Sequence, residues 1–233
     1  PARSGSKGIK NKNIQKCGYD TLLRLSIKEC LKLNLNANIN ANIYVSTDSQ
    51  EYINHILDLI DNPPFLRPKN LSGDLIGDIE VLTHALIACQ NFYKKDYSCI
   101  VMIQPTSPLR KSKDILNTIN AIVKEGYDSA ITCQKVDKKY HPLKSLEIKD
   151  NGFVDHFIPR PKEIIARQQL KSTYIRNGAS YSITPKQLLE GKSFFKCKSK
   201  LVITDNIVSI DNIEELLFCE RILLRDFILK IKK

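Results

Sequence analysis

Four features are missing from this 233-residue chain, and each absence removes a class of function. No stretch approaches the ~20 consecutive apolar residues that a membrane-crossing helix needs, so no membrane partner is expected. None of the seven cysteines forms a C-x-x-C pair and their count is odd, which leaves neither a zinc site nor a disulfide framework. Cys30, Cys89 and Cys219 fall on apolar helical faces, where a thiol packs as a small hydrophobe, and a reducing cytoplasm is the expected location. Basic residues do not alternate with aromatics and no RNP-type run occurs, so nucleic acid is not an expected partner. The G-x-x-x-x-G-K-[ST] spacing of a Walker A loop is also absent.

The composition suits one large domain, or one domain with a small insertion, since 42% of residues are hydrophobic and a core of ordinary size can form. Lys and Arg number 36 against 25 Asp and Glu, a net charge of +11. That excess suits anionic small molecules such as nucleotides or sugar acids, and part of it suits a solvated surface. Four of these cations stand in the opening segment, with no acidic residue among them. In Pro1-Ala-Arg-Ser-Gly-Ser-Lys-Gly8, followed by Lys10, Lys12 and Asn13, flexible residues sit between cations. Glycine lets backbone N–H groups turn towards an oxyanion, and neighbouring Lys and Arg add charge there. The segment can hold a polyphosphate or be a basic, solvated tail, and taken alone it does not separate the two.

Periodicity predicts helices over 21–33, from Asp48 to about Ile60, over 79–93, 113–124 and from about Asn212, with strands at 43–47, 99–103, 128–134, 174–183, 202–203 and 207–210. The Asn-rich run 34–42 reads as a connection and Pro63-Pro64 as a break. The unbroken apolar run 99–103 is expected in the centre of a parallel sheet. His141-Pro142, Asn151-Gly152 and Pro159-Arg-Pro161 are turn signals, so 136–172 reads as an inserted segment within an α/β domain formed by 1–135 and 173–233. The alternation implies a doubly wound, three-layer α/β/α sheet, with ligands bound beyond the carboxyl ends of its strands. His-Pro begins a turn, and no second ligand-spaced residue accompanies His141, so that histidine reads as structural.

An ordered set of motifs spans nearly the whole chain. It comprises the opening octapeptide with Lys12-Asn13, then Ser46-Thr-Asp48, Leu66-Arg-Pro68 with Asp74, and Gln104-Pro-Thr-Ser-Pro-Leu-Arg110. His141-Pro-Leu-Lys144, Arg167-Gln168, Arg176-Asn-Gly-Ala179 and Ile210-Asp211 complete it. The combination resembles the acylneuraminate cytidylyltransferases, the CMP-sialic acid synthetases and their relatives for other nine-carbon sugar acids, whose fold is that of the nucleotide-diphospho-sugar transferases. The resemblance implies transfer of CMP from CTP to the anomeric hydroxyl of a nine-carbon 2-keto acid, with Mg2+ as cofactor, in a homodimer that serves surface polysaccharide synthesis. A non-catalytic binding homologue and an enzyme for an eight-carbon keto-deoxy acid stay open as alternatives.

By the same resemblance Arg3, Lys7, Lys12 and Asn13 hold the triphosphate, with Arg3, Lys12 and Asp211 catalytic. Arg67 and Asp74 lie near the nucleotide, Arg67 alternatively as a loop-anchoring ion pair. Gln104 and Asn177 hold the sugar acid, joined by Lys144, Arg167 and Gln168 from an arm that reaches a partner's site, unless Lys144 and Arg167 are ordinary solvated charges. Arg110 either binds an anion or pairs with a carboxylate to fix its loop. One departure concerns the metal. Where the family has Asp-x-Asp, this chain has Ser209-Ile-Asp211, leaving Asp211 as the one charged ligand at that position. Asp205 is too distant along the strand to replace the lost carboxylate. The chain also opens directly on the loop, so an apolar strand of about five to eight residues is expected before Pro1.

Overall fold

The structure, a computed structural model, describes residues 1–36, 39–61, 65–159 and 166–231. The Pro63-Pro64 break, Arg160-Pro161 of the third turn signal, part of the Asn-rich run and the Arg167 side chain lie outside what is described.

After the opening loop, a short antiparallel hairpin pairs β1 (Lys16–Cys17) with β2 (Asp20–Thr21) and feeds α1 (Leu22–Asn36). α1 is apolar on two sides because it separates two clusters. Leu22 and Leu25 face Cys17, Ile210, Leu216 and Cys219, while Leu23 and Ile27 face Ala2, Val45, Tyr52 and Ile56. Burial pushes the Cys17 thiol up to about 12 and that of Cys219 to about 11, so both pack as apolar groups.

α2 (Gln50–Asn54) is capped by the Ser49 hydroxyl, which accepts from Tyr52 N. It is shorter than the periodicity implies: the chain continues in turns through Leu59, where Ile56 O accepts from both Leu59 N and Ile60 N, and Ile56 and Leu59 still reach the same cluster. α3 (Asp78–Tyr93) carries Asp78 and Glu80 in its first turn, complementing the helix dipole, and ends at Lys94 in the left-handed region, φ 54°. β3 (Ile100–Met102), α4 (Ser112–Val123) and β4 (Ser129–Lys135) follow. Next come β5 (Leu146–Ile148), β6 (Val154–His156), β7 (Tyr174–Ile183), α5 (Pro185–Leu189), β8 (Ser199–Ile203) and α6 (Ile213–Ile231).

The central sheet has the order β3-β7-β4-β8, with β7 antiparallel to both neighbours and β4 parallel to β8. This corrects the placement of the 99–103 run: β3 stands at one end of the described sheet, beside an antiparallel strand. Apolarity reports that a strand is covered on its faces, not the direction of its neighbour. Alternation then sorts the faces. Tyr181, Ile183, Ile131 and Met102 pack under Leu82 and Leu86 of α3 and Leu188 of α5. On the other face Ala130 and Val202 meet Ala121 and Ile122 of α4. Thr118 of α4 is seated by hydrogen bonds with Ser180, 2.7 Å, and Ser182, 2.8 Å. Helices cover both faces, as the alternation of elements implies.

Two expected strands are extended segments without a ladder. The 43–47 segment is held by Ala2 N to Ser46 O, 2.9 Å, and Arg67 N to Thr47 O, 2.7 Å. The 207–210 segment is held by Ile207 N donating to the Gln134 side chain and Ile210 N to Thr106 O, both 2.8 Å. The segment expected to be an insertion connects β4 to β7, and β5 and β6 form its antiparallel hairpin, turning at Asn151-Gly152.

Candidate active site

Five pieces of chain end around one open cleft of about 780 Å³: the opening loop, the 66–78 loop, the 104–107 turn, the start of β7 and the 209–211 segment. Arg3, Lys7, Lys12, Asn13, Arg67, Asp74, Gln104, Asn177 and Asp211, separated by up to two hundred positions in the sequence, all line it. Lys144 is exposed and Gln168 is exposed, and neither lines the cleft within this chain. His141 is buried as a structural residue: its Nδ1 accepts from Leu143 N and its Nε2 donates to Lys171 O.

The opening loop is preorganised by carboxylates. Arg3 Nη2 lies 2.5 Å and Lys7 Nζ 2.6 Å from the two oxygens of Asp74, and these hydrogen bonds hold the Asp74 carboxyl below its ordinary range. Asp48 accepts from Ser4 N and Ser4 Oγ, both at 2.8 Å. Burial pushes the Asp48 carboxyl up, but the Ser4 hydrogen bonds and the Arg67 charge outweigh it, and the group sits below the usual carboxylate range. Asn13 donates to Arg3 O, 3.0 Å, so its amide fixes the loop. Lys12 Nζ donates to Ile210 O at 2.8 Å and stands 3.2 Å from Asp211. A Cβ on Gly8 would sit 2.9 Å from Asp211 O, so glycine permits the close approach of loop and 209–211 segment.

Arg67 is 4% exposed and makes no ion pair with a described residue, against the loop-anchoring alternative. Its Nε and Nη2 are buried without an acceptor, and burial lowers its pKa against the opposing charge of Asp48. Two uncommitted donors on a buried guanidinium at a cleft are what a ligand acceptor would satisfy. Arg110 fixes its loop, but not through a carboxylate. Nε donates to Ala179 O at 2.9 Å, Nη1 to Ser26 Oγ at 2.7 Å and Nη2 to Gln104 O. Burial pushes its pKa down to about 10. Anion binding by Arg110 would require giving up these bonds.

The β7 wall is shaped by a bulge. Register with β4 shifts between Ile131 and Cys133, which oppose Tyr181 and Arg176, so 177–180 bow out of the ladder. Gly178 sits there at φ +71°, and a Cβ would collide with the Gln104 side chain and lie 2.7 Å from Ser107 Oγ. Ser107 Oγ in turn donates to Asn177 O, 2.7 Å. The Asn177 amide donates to Thr204 Oγ1, 2.8 Å, and accepts from Ala179 N, 3.3 Å. It therefore positions the bulge and keeps one N–H for a ligand. The resemblance implies that Gly178 holds the sugar acid together with Asn177; its observed part is to leave room for Gln104 and Ser107. Asp48 and Arg176 are visible in the sequence only as members of motifs, and the part Ser4 plays depends on its contact with Asp48, which the sequence does not display.

Glu215 accepts from Asp211 N, 2.7 Å, and Asn212 N, 3.2 Å, while Asn212 Oδ1 accepts from Glu215 N, 2.9 Å, a reciprocal cap that sets Asp211 at the start of α6. The Asp211 side chain is 80% exposed, and Ser209 Oγ stands 3.5 Å from Thr106 Oγ1. Among the described residues no three His, Cys, Asp or Glu side chains cluster as a metal cage. One carboxylate and one hydroxyl on the cleft wall fit Mg2+, which keeps several waters and takes phosphate oxygens as ligands. They do not fit a cation that needs an all-protein cage. Asp205, paired with Lys111 at 3.2 Å, stays apart.

The whole fold matches CMP:2-keto-3-deoxy-manno-octonic acid synthetase complexed with CTP, with a TM-score of 0.71, 97% of each chain covered and 12% identity. In sequence, the chain is 28% identical to the post-translational flagellin modification protein B of Campylobacter coli, over 93% of this chain and 89% of that one. It is 31% identical to the pseudaminic acid cytidylyltransferase of Campylobacter jejuni, over 94% and 92%. It is 29% identical to the N-acylneuraminate cytidylyltransferase of Escherichia coli, matching 91% of this chain but 47% of that longer protein. No helix among the described residues is long and apolar enough to cross a membrane. Residues 1–182 match the cytidylyltransferase family model, and with these relatives the chain belongs to the cytidylyltransferase family that contains the acylneuraminate and pseudaminic acid enzymes.

Proposed function

We propose that this chain transfers CMP from CTP to the anomeric hydroxyl of a nine-carbon 2-keto sugar acid in the cytoplasm, for surface glycan synthesis. The supporting observation is the convergence of Arg3, Lys7 and Lys12 on one cleft, each cation already held in place by Asp74 or Asp211. Preorganised cations stabilise charge that grows in a transition state without reorganising. The sugar hydroxyl oxygen bonds to the α-phosphorus, its proton passes to solvent water, and the α–β phosphoanhydride breaks to release pyrophosphate. Arg3 and Lys7 turn their remaining N–H donors to the departing phosphates while Asp74 holds them, and Lys12 neutralises the reacting phosphoryl group. Arg67 offers its two uncommitted donors to the nucleotide, and Gln104, beside Gly178, offers its amide to the sugar acid. Asp211 would hold Mg2+ together with the nucleotide phosphates, and the bound ion would supply Lewis-acid polarisation of the phosphoryl oxygens.

The β4–β7 connection supports a two-fold dimer. Ile148, Phe153 and Val154 of its hairpin are 79%, 71% and 63% exposed, an apolar surface that a second copy would cover. Lys144, Arg167 and Gln168 would then serve the neighbour's cleft. The names of the nine-carbon relatives favour that substrate class over the eight-carbon acid of the structural neighbour, whose 12% identity speaks for the fold. Pyrophosphate release with CTP and N-acetylneuraminate, legionaminate, pseudaminate or an eight-carbon keto-deoxy acid tests the reading. Turnover only with a nine-carbon acid is expected. Turnover confined to the eight-carbon acid overturns the substrate assignment. No turnover with any acid, alongside intact CTP binding, makes Ser209 the mark of a non-catalytic binding protein.

A further inference from the structure

Charge partners separate the cations of the cleft into two kinds. Arg3 and Lys7 share Asp74, Lys12 contacts Asp211, and Arg67 is buried within the field of Asp48. Arg176 also lines the cleft, yet it is exposed and has no ion pair or hydrogen bond with a described residue. It lies on β7, opposite Cys133, immediately before the bulge that carries Asn177 and Gly178. It thus belongs to the wall where Gln104 abuts Gly178, not to the opening loop.

We propose that Arg176 binds the C1 carboxylate of the sugar acid, so that each chain supplies its own carboxylate-recognising cation whatever a partner adds. This rests on the reaction proposed above. The reactants bring two anionic groups. The opening loop already gathers three cations for the triphosphate, which leaves a single carboxylate to be matched on the opposite reactant. A guanidinium meets a carboxylate with two parallel N–H donors, a fit an amide cannot copy. The Asn177 amide, committed to Thr204 and Ala179, has too little capacity left to hold a carboxylate alone. A guanidinium without a protein acceptor is also available without breaking an existing bond, which distinguishes Arg176 from Arg110.

Two measurements on the full chain test this: steady-state kinetics with each substrate varied, and calorimetric titration of the sugar acid and its C1 amide. For Arg176→Gln, the sugar-acid KM or Kd is expected to rise about 10- to 100-fold while the CTP KM stays within about twofold. Arg176→Lys should recover part of the loss, because charge returns without the planar fork. The C1 amide should bind wild type and Arg176→Gln alike. An unchanged sugar-acid KM and Kd in Arg176→Gln overturns the assignment. An equal rise in the CTP KM overturns it in favour of a phosphate role. If wild type binds the acid without turning it over, the reaction proposed above fails while the titration still decides Arg176. If wild type binds no acid at all, both fail.

Discussion

Two connections in this molecule treat polarity in opposite ways. The 104–110 turn buries Ser107 at 0% and Arg110 at 3% exposure, and each has acceptors supplied by the chain itself. The β4–β7 connection exposes Leu146, Ile148, Phe153 and Val154 to solvent. Buried polar groups with internal partners mark a site finished within one chain. Exposed apolar groups on a hairpin mark a surface that folding of one chain leaves uncovered. The cleft wall and the proposed dimer arm are thus built by different rules, although they meet at the start of β7.

Removing Lys12 should have the largest effect on the finished side. Lys12→Ala is expected to lower turnover by about 10³-fold and weaken CTP binding, since it deletes a preorganised cation. Calorimetry that finds normal CTP affinity would take the opening loop out of the site. Arg110→Met comes next. It strands Ala179 O, Gln104 O and Ser26 Oγ, and should cost roughly 3 kcal/mol by urea unfolding, or prevent folding. A midpoint matching wild type would mean that the turn does not depend on its buried guanidinium.

Asp211→Ala should reduce turnover by about 100-fold, with Ser209→Asp shifting half-maximal activity to lower Mg2+. Wild-type activity and metal dependence in Asp211→Ala would make Asp211 structural, a partner of Lys12 alone. On the unfinished side, Phe153→Ser should change monomer stability by less than about 0.5 kcal/mol, as an exposed substitution does. It should nonetheless shift the oligomer towards monomer in light scattering. A marked loss of stability at unchanged mass would show that the hairpin is packed internally. The smallest effect concerns acid. The carboxyl of Asp74 is depressed by Arg3 and Lys7, so its clamp is complete above the ordinary Asp value of about 3.9 and is lost only as pH falls through the depressed one. An NMR titration of Asp74 with a midpoint at or above ordinary Asp would show that the clamp does not persist in solution.

Much of the architecture was legible because it is local. The helices of 21–33, 79–93 and 113–124 carry apolar residues at helical spacing, and they form as α1, α3 and α4. The 43–47 and 207–210 runs were legible as extended, covered chain but not as unpaired chain. Their hydrogen bonds go to Ala2 N and Arg67 N, to the Gln134 side chain and to Thr106 O, groups brought close only by the fold. Nine of the expected site residues meet in the cleft, yet several serve it differently from what their type suggests. Asn13 and Asn177 spend amide groups on the backbone or a hydroxyl, and Arg67 makes no ion pair with a described residue.

The sequence by itself determined which segments are helical or extended, that the opening is a cation-bearing loop, and which ordered motifs make this chain a cytidylyltransferase relative. Those properties reside in residue type and spacing along the chain. The tertiary structure alone decided that β3 stands beside an antiparallel β7, that Asp74 and Asp48 anchor the opening loop, that Gly178 makes room for Gln104, and that Arg176 is left without a partner among the described residues. Each depends on which distant groups come within a few ångströms, and hydrogen bonding, burial and charge pairing act only at that range.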